Sequence, residues 1–124
     1  MSVLISRQSE YLVASILSDL SDSQIFALRE ELINKVGSLP ARGVVIDVSG
    51  LDVIDSFAAR SLRSIALTAK LRGAETVIIG IQPDVAIAMV QFDVDLHPIH
   101  AALDLDEAFQ LLEHGIERNR EDER

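Results

Sequence analysis

The residues best placed for chemistry lie in Val53-Ile54-Asp55-Ser56-Phe57-Ala58-Ala59-Arg60. The run Val44-Val45-Ile46-Asp47-Val48 reads as a buried strand. A polar turn follows, Ser49-Gly50-Leu51-Asp52, and a helix is predicted to begin at Asp55-Ser56. One serine hydroxyl is then presented at a helix N-terminus, just past the carboxyl end of a strand. Backbone N–H groups there lack intrahelical partners, and the helix dipole favours negative charge. Two chemistries suit that position. Ser56 caps the helix, or it accepts a phosphate. Asp55 and Ser56 are both cap-forming residues, so one of them is redundant for capping. A phosphate on Ser56 would bring about two negative charges onto the helix N–H groups and towards Arg60, one turn on, while Asp52 and Asp55 would oppose it.

Other chemistries fit less well. Ser56 lacks the flanking glycines of a nucleophile elbow, and every histidine lies beyond residue 96. His97 and His100, with Asp93 and Asp95 nearby, contain metal-ligand types, but their spacing is generic and surface histidines are the simpler reading. Gly50, Gly73 and Gly80 stand singly, so no phosphate-binding glycine loop is present. No catalytic residue, metal or cofactor is expected.

The elements that must hold Ser56 follow from periodicity. Residues 2–8 and 10–18 read as strands, with a tight turn at Ser9-Glu10 implying an antiparallel pair. A helix is predicted from about Asp22 to Val36, opened by a Ser21-x-x-Gln24 capping box and stopped by Gly37. The strand Val44–Val48 leads to a helix from Ser56 to Leu71 that buries Phe57, Ser61, Leu62, Ile65 and Ala69 and stops at Gly73. A strand at Thr76–Gly80 precedes a short helix from Pro83 to about Phe92. A short edge strand lies within Leu96–Ala101, and a last helix runs from Asp104 to about Ile116. The order β-β-α-β-α-β-α-β-α predicts an α/β fold with a mostly parallel mixed sheet of about five strands and about four helices. Loops at the carboxyl ends of such strands carry function, which places the Ser49–Ser56 and Gly80–Pro83 turns side by side.

Composition sets the outer limits. The chain has 124 residues, enough for one domain with a real core. Aromatic residues are only 4%, so that core must be aliphatic, and the absence of cysteine excludes disulfides and thiolate metal sites. The formal net charge of −9 opposes binding to nucleic acid or an anionic membrane; it suits a protein partner with a basic face, or serves only to keep the protein soluble. No apolar run is long enough to span a bilayer and no signal peptide is evident, so a cytoplasmic protein is expected.

The element order, together with Val-Val-Ile-Asp-Val-Ser-Gly-Leu-Asp-Val-Ile-Asp-Ser at 44–56, resembles the STAS domain of anti-sigma factor antagonists. The resemblance covers residues 1–117 and leaves 118–124 as a charged C-terminal tail. It implies that Ser56 is the phosphorylation site. Phe57-Ala58-Ala59 replaces the small residue and glycine usual after this serine in free antagonists. With Gly80-Ile81-Gln82-Pro83 after the next strand, that resembles the stressosome branch. Serine at the acceptor position and a first strand starting at residue 2 resemble its S-type rather than its R-type members. The family implies a non-enzymatic scaffold that self-associates and assembles with an R-type STAS co-scaffold. It would hold a GHKL-type switch serine kinase and release it on phosphorylation, with a PP2C-type phosphatase resetting the serine. Asp52, Asp55, Phe57, Arg60, Gly80, Gln82 and Pro83 are the expected partner-binding or phosphate-neighbouring residues. The alternative is a free anti-sigma factor antagonist that binds an anti-sigma kinase directly.

Overall fold

The computed structural model describes residues 2–38, 41–93 and 95–115. The expected tail at 118–124 and Ile116 lie outside the described residues. Five strands form one sheet in the order β1 (Val3–Gln8), β2 (Tyr11–Ile16), β3 (Gly43–Asp47), β4 (Glu75–Ile79) and β5 (His100–Ala102). β1 pairs with β2 antiparallel, and every later pairing is parallel. The helices are α1 (Asp22–Ser38), α2 (Ser56–Leu71), α3 (Pro83–Gln91) and α4 (Leu105–Gln110).

From β2 onward each strand is followed by a helix and then by its immediate neighbour in the sheet. Right-handed crossovers taken repeatedly in one direction put every crossover helix on one face. Accordingly Leu28 and Leu32 of α1, Leu62 and Ile65 of α2, and Val85 and Met89 of α3 share one core with Leu12, Ala14, Val44, Ile46 and Ile78 of the sheet. The opposite side chains of the same strands, Tyr11, Val13, Val45, Val77 and Ile79, pack under Ala108 and Leu112, at and beyond the end of α4. Burial on both faces explains why β2 and β3 read as nearly unbroken apolar runs.

Local signals agree with most boundaries. The Ser21 N–H donates to Gln24 Oε1 at 2.8 Å and the Gln24 N–H to Ser21 Oγ at 3.3 Å, a reciprocal capping box. α2 ends as expected at Gly73, where the Gly73 N–H donates to the Lys70 carbonyl and the Ala74 N–H to the Ala69 carbonyl. Three expectations need correction. Gly37 does not stop α1, which runs one residue further to Ser38, whose hydroxyl donates to the Asn34 carbonyl. The edge strand forms at His100–Ala102, later than expected. The last helix is regular only to Gln110 and continues as a wider turn over Leu111–Gly115, still seating Leu112 in the core.

The lone tyrosine offers a direct probe of the α4 face. Tyr11 stacks on Phe109 with ring centroids 5.1 Å apart, and its hydroxyl donates to Glu113 Oε1 at 3.2 Å. Burial, then the charge of Glu113, raises its pKa above the usual 10.0. A raised folded-state value means stability that is present below pH 10.0 and lost as pH rises through the folded value. The tyrosinate absorbance, which reports one residue here, is expected to titrate at higher pH in the folded chain than in denaturant. Coincident midpoints would exclude this packing.

Candidate functional site at the carboxyl edge of the sheet

Loops from consecutive strands meet at the carboxyl end of the sheet. The Val48 N–H donates to the Ile79 carbonyl at 3.0 Å, which extends the β3–β4 pairing into the loop. Asp47 Oδ1 then accepts the Ser49 N–H at 2.9 Å and turns the chain. Gly50 lies flat against the end of β2, because a Cβ there would stand 2.4 Å from the Ile16 carbonyl oxygen. Leu51 and Ile54 are buried and pin the loop on either side of exposed Asp52 and Val53. From the β2–α1 loop, Asp19 Oδ1 accepts the Asp52 N–H at 2.9 Å and the Val53 N–H at 3.4 Å.

The β4–α3 loop closes the other side. Gly80 has φ +74°, a left-handed conformation in which a Cβ would meet Asp47 Oδ1 and Ser49 Cβ at 2.9 Å. Gln82 precedes Pro83, the first residue of α3, without capping that helix. Its amide instead donates to the Ser49 carbonyl at 2.7 Å and to Asp52 Oδ1 at 3.3 Å. Gly80, Gln82 and Asp52 therefore form one connected unit, as the adjacency of the two turns predicted.

Asp55 is the cap of α2. Its backbone is extended (φ −110°, ψ 176°), its Oδ1 accepts the Ala58 N–H at 2.8 Å, and its carbonyl accepts the Ala59 N–H. Ser56 is thus the first helical residue, exposed, with no hydrogen bond from its hydroxyl among the described residues. The choice between the two cap formers falls to Asp55, because an aspartate with extended backbone places its oxygen on the N3 amide.

The remaining expected residues divide. Arg60 is exposed on the next turn and has no ion pair or hydrogen bond among the described residues. Phe57 is half-buried, packed against the helical-face core rather than enclosed in it as expected. Pro83 is exposed. Arg63, which shares the Ser56–Arg60 side, is engaged elsewhere, its Nε donating to the His97 carbonyl at 3.1 Å. His100 Nε2 lies 3.3 Å from Glu75 Oε2 at the opposite end of the sheet. Sequence reasoning missed Asp19 and the role of Gly50. Both act on partners more than 30 residues away, and no local pattern reports that.

The model of the STAS domain family matches residues 3–108. The chain belongs to the STAS-domain family. Among solved STAS structures, a serine-to-glutamate variant of RsbS from Moorella thermoacetica is 32% identical, with a TM-score of 0.81 over 94% of this chain and 99% of that one. A chain of the stressosome, described as a signal integration and transduction hub, is 30% identical, with a TM-score of 0.73 over 91% of this chain and 98% of that one. The RsbT co-antagonist protein RsbRD of Bacillus subtilis is 22% identical over 96 residues, 77% of this chain. This chain spans about a third (34%) of the length of that curated relative. The STAS fold, the stressosome likeness and the RsbS-like character therefore stand on sequence and structure together. No helix among the described residues is long and apolar enough to cross a membrane.

Proposed function

We propose that this chain is an RsbS-like S-type subunit of a stressosome core. In this reading it is a non-enzymatic scaffold that holds a GHKL-type switch serine kinase and releases it when Ser56 is phosphorylated. An R-type STAS protein is its co-scaffold, and a PP2C-type phosphatase restores the serine. One observation carries the reading: Asp55 alone caps α2, which leaves the exposed Ser56 hydroxyl without a structural duty. The near end-to-end likeness to RsbS, 99% of that chain, supports it.

The chemistry suits a switch. A phosphate on the first residue of α2 meets the unpaired N–H groups and positive dipole end, and Arg60, exposed and without an ion pair among the described residues, lies one turn on. It also adds about two negative charges beside Asp55 and Asp52, at the surface the reading assigns to the kinase. Around it Asp19, Gly50, Gly80 and Gln82 hold the loop in one shape, so modification changes charge on a fixed platform.

Assembly tests the reading as a whole. Mixed with an R-type STAS partner from the same genome, the chain is expected to form a particle near the megadalton scale that retains the switch kinase and loses it after ATP is added. Only small species in light scattering, with direct binding of an anti-sigma kinase, would replace the scaffold by a free antagonist.

A further inference from the structure

We infer that the open edge of β1 is a twofold docking edge for a second copy of this chain, through antiparallel pairing of β1 with β1. The inference is independent of any role for Ser56. β1 is an edge strand of six residues, twice the length of the three-residue β5 at the other edge. It contains no proline, and Arg7 is its only charge. The usual devices that blunt a free edge are therefore largely absent.

The hairpin register decides which backbone groups are free. Ser2 pairs with Leu17, whose N–H donates to the Ser2 carbonyl at 2.8 Å. Hydrogen-bonded pairs alternate along an antiparallel ladder, so Leu4, Ser6 and Gln8 also spend their backbone groups on β2. Val3, Ile5 and Arg7 direct theirs outward. That set is symmetric about Ile5. A twofold axis through Ile5 would set Ile5 against Ile5 of the second copy and Val3 against its Arg7. About six backbone hydrogen bonds result, using no group the monomer already uses.

Side chains and charge fit the same partner. On the helical face an open groove of about 600 Å³ runs between β1 and α1, with Val3, Ile5, Leu20, Ala27 and Leu28 among its lining. An added strand drops alternate side chains into such a groove, and the second copy's Val3 and Ile5 are apolar and correctly spaced. On the other face Leu4, 50% exposed, would lie against the second copy's Ser6. Two copies with net charge −9 repel each other, yet residues 2–9 contain Arg7 and no Asp or Glu, and Glu31 in the groove lining is matched by Lys35, so the edge itself adds little to that repulsion.

The absence of cysteine gives a clean test. Paired Ile5 residues would have Cα atoms about 5.5 Å apart, within the disulfide range of about 4.4–6.8 Å. Paired Arg7 residues would be on the order of 13 Å apart, beyond it. Under mild oxidation Ile5→Cys is expected to give covalent dimer at least tenfold faster than Arg7→Cys or than Leu71→Cys, a collision control at a position 89% exposed. Equal rates, or faster linkage of Arg7→Cys, would overturn the pairing. In sedimentation, Arg7→Pro removes an N–H that the hairpin does not use, so it should raise the dimer dissociation constant at least tenfold with cooperative melting retained. Wild-type chain that stays monomeric at every concentration would equally reject the inference.

Discussion

Ser56→Asp is expected to bind the switch kinase at least a hundredfold more weakly than wild type while folding normally. The folding half follows from the cap. Asp55 supplies the oxygen for the Ala58 N–H, so residue 56 is free to change, and an added carboxylate at a helix start is favourable by roughly 0.3–1 kcal/mol. Ser56→Ala should melt within about 0.5 kcal/mol of wild type and keep the kinase bound. Asp55→Ala, by contrast, removes the cap and should cost about 1 kcal/mol. For binding, two effects oppose. The net charge of −9 attracts a basic partner at long range, and one more carboxylate strengthens that attraction. Within the contact, water is excluded and the new charge must be desolvated beside Asp52 and Asp55. The local effect should win, and a loss of about 3 kcal/mol exceeds a hundredfold in affinity. Calorimetry at two salt concentrations separates them: desolvation persists at high salt, whereas steering is screened. Equal affinity of wild type and Ser56→Asp would reduce Ser56 to an ordinary surface residue.

Gly50→Ala should be the most damaging small substitution in the loop. The added Cβ would stand 2.4 Å from the Ile16 carbonyl oxygen and 2.5 Å from the Leu17 carbonyl carbon. These are backbone atoms at the end of a central strand, so no rotamer change relieves the clash. The loop must lift away, which would loosen the Asp19 and Gln82 clasps on Asp52. The expected cost is about 3 kcal/mol or more, a fall of roughly 10 °C in melting temperature. Kinase binding should fall with it, since Asp52 and Val53 would no longer be fixed. A melting temperature unchanged from wild type would show that Gly50 does not set the loop.

The parts of this arrangement legible in the sequence are those governed by neighbours along the chain. The Ser21–Gln24 box, the Gly73 terminus and the apolar runs of the inner strands all act within a few residues, and the sequence shows them. Ser9-Glu10 likewise predicted the antiparallel hairpin. Asp55 and Ser56 could not be ranked, because both types cap helices and only the backbone angles at 55 decide. Gly50 read as an isolated turn glycine, since its contact with Ile16 and Leu17 crosses strands. Sheet topology places the Gln82 turn beside the site, but that its amide spans to Ser49 and Asp52 depends on its side chain not capping α3. The widening of the last helix after Gln110 is not legible, because the apolar spacing at Leu112 is the same for a regular and a wider helical turn.

The central claim is that Ser56 is the switch, and site mapping tests it most directly. The chain is incubated with the switch kinase, ATP and Mg²⁺, then mapped by mass spectrometry alongside a capture assay for the kinase. The expected result is a single phosphate on Ser56, acquired in step with release, and neither event in Ser56→Ala. Phosphate on Ser49, Ser61 or Ser64 in place of Ser56, or release that proceeds in Ser56→Ala, would contradict it.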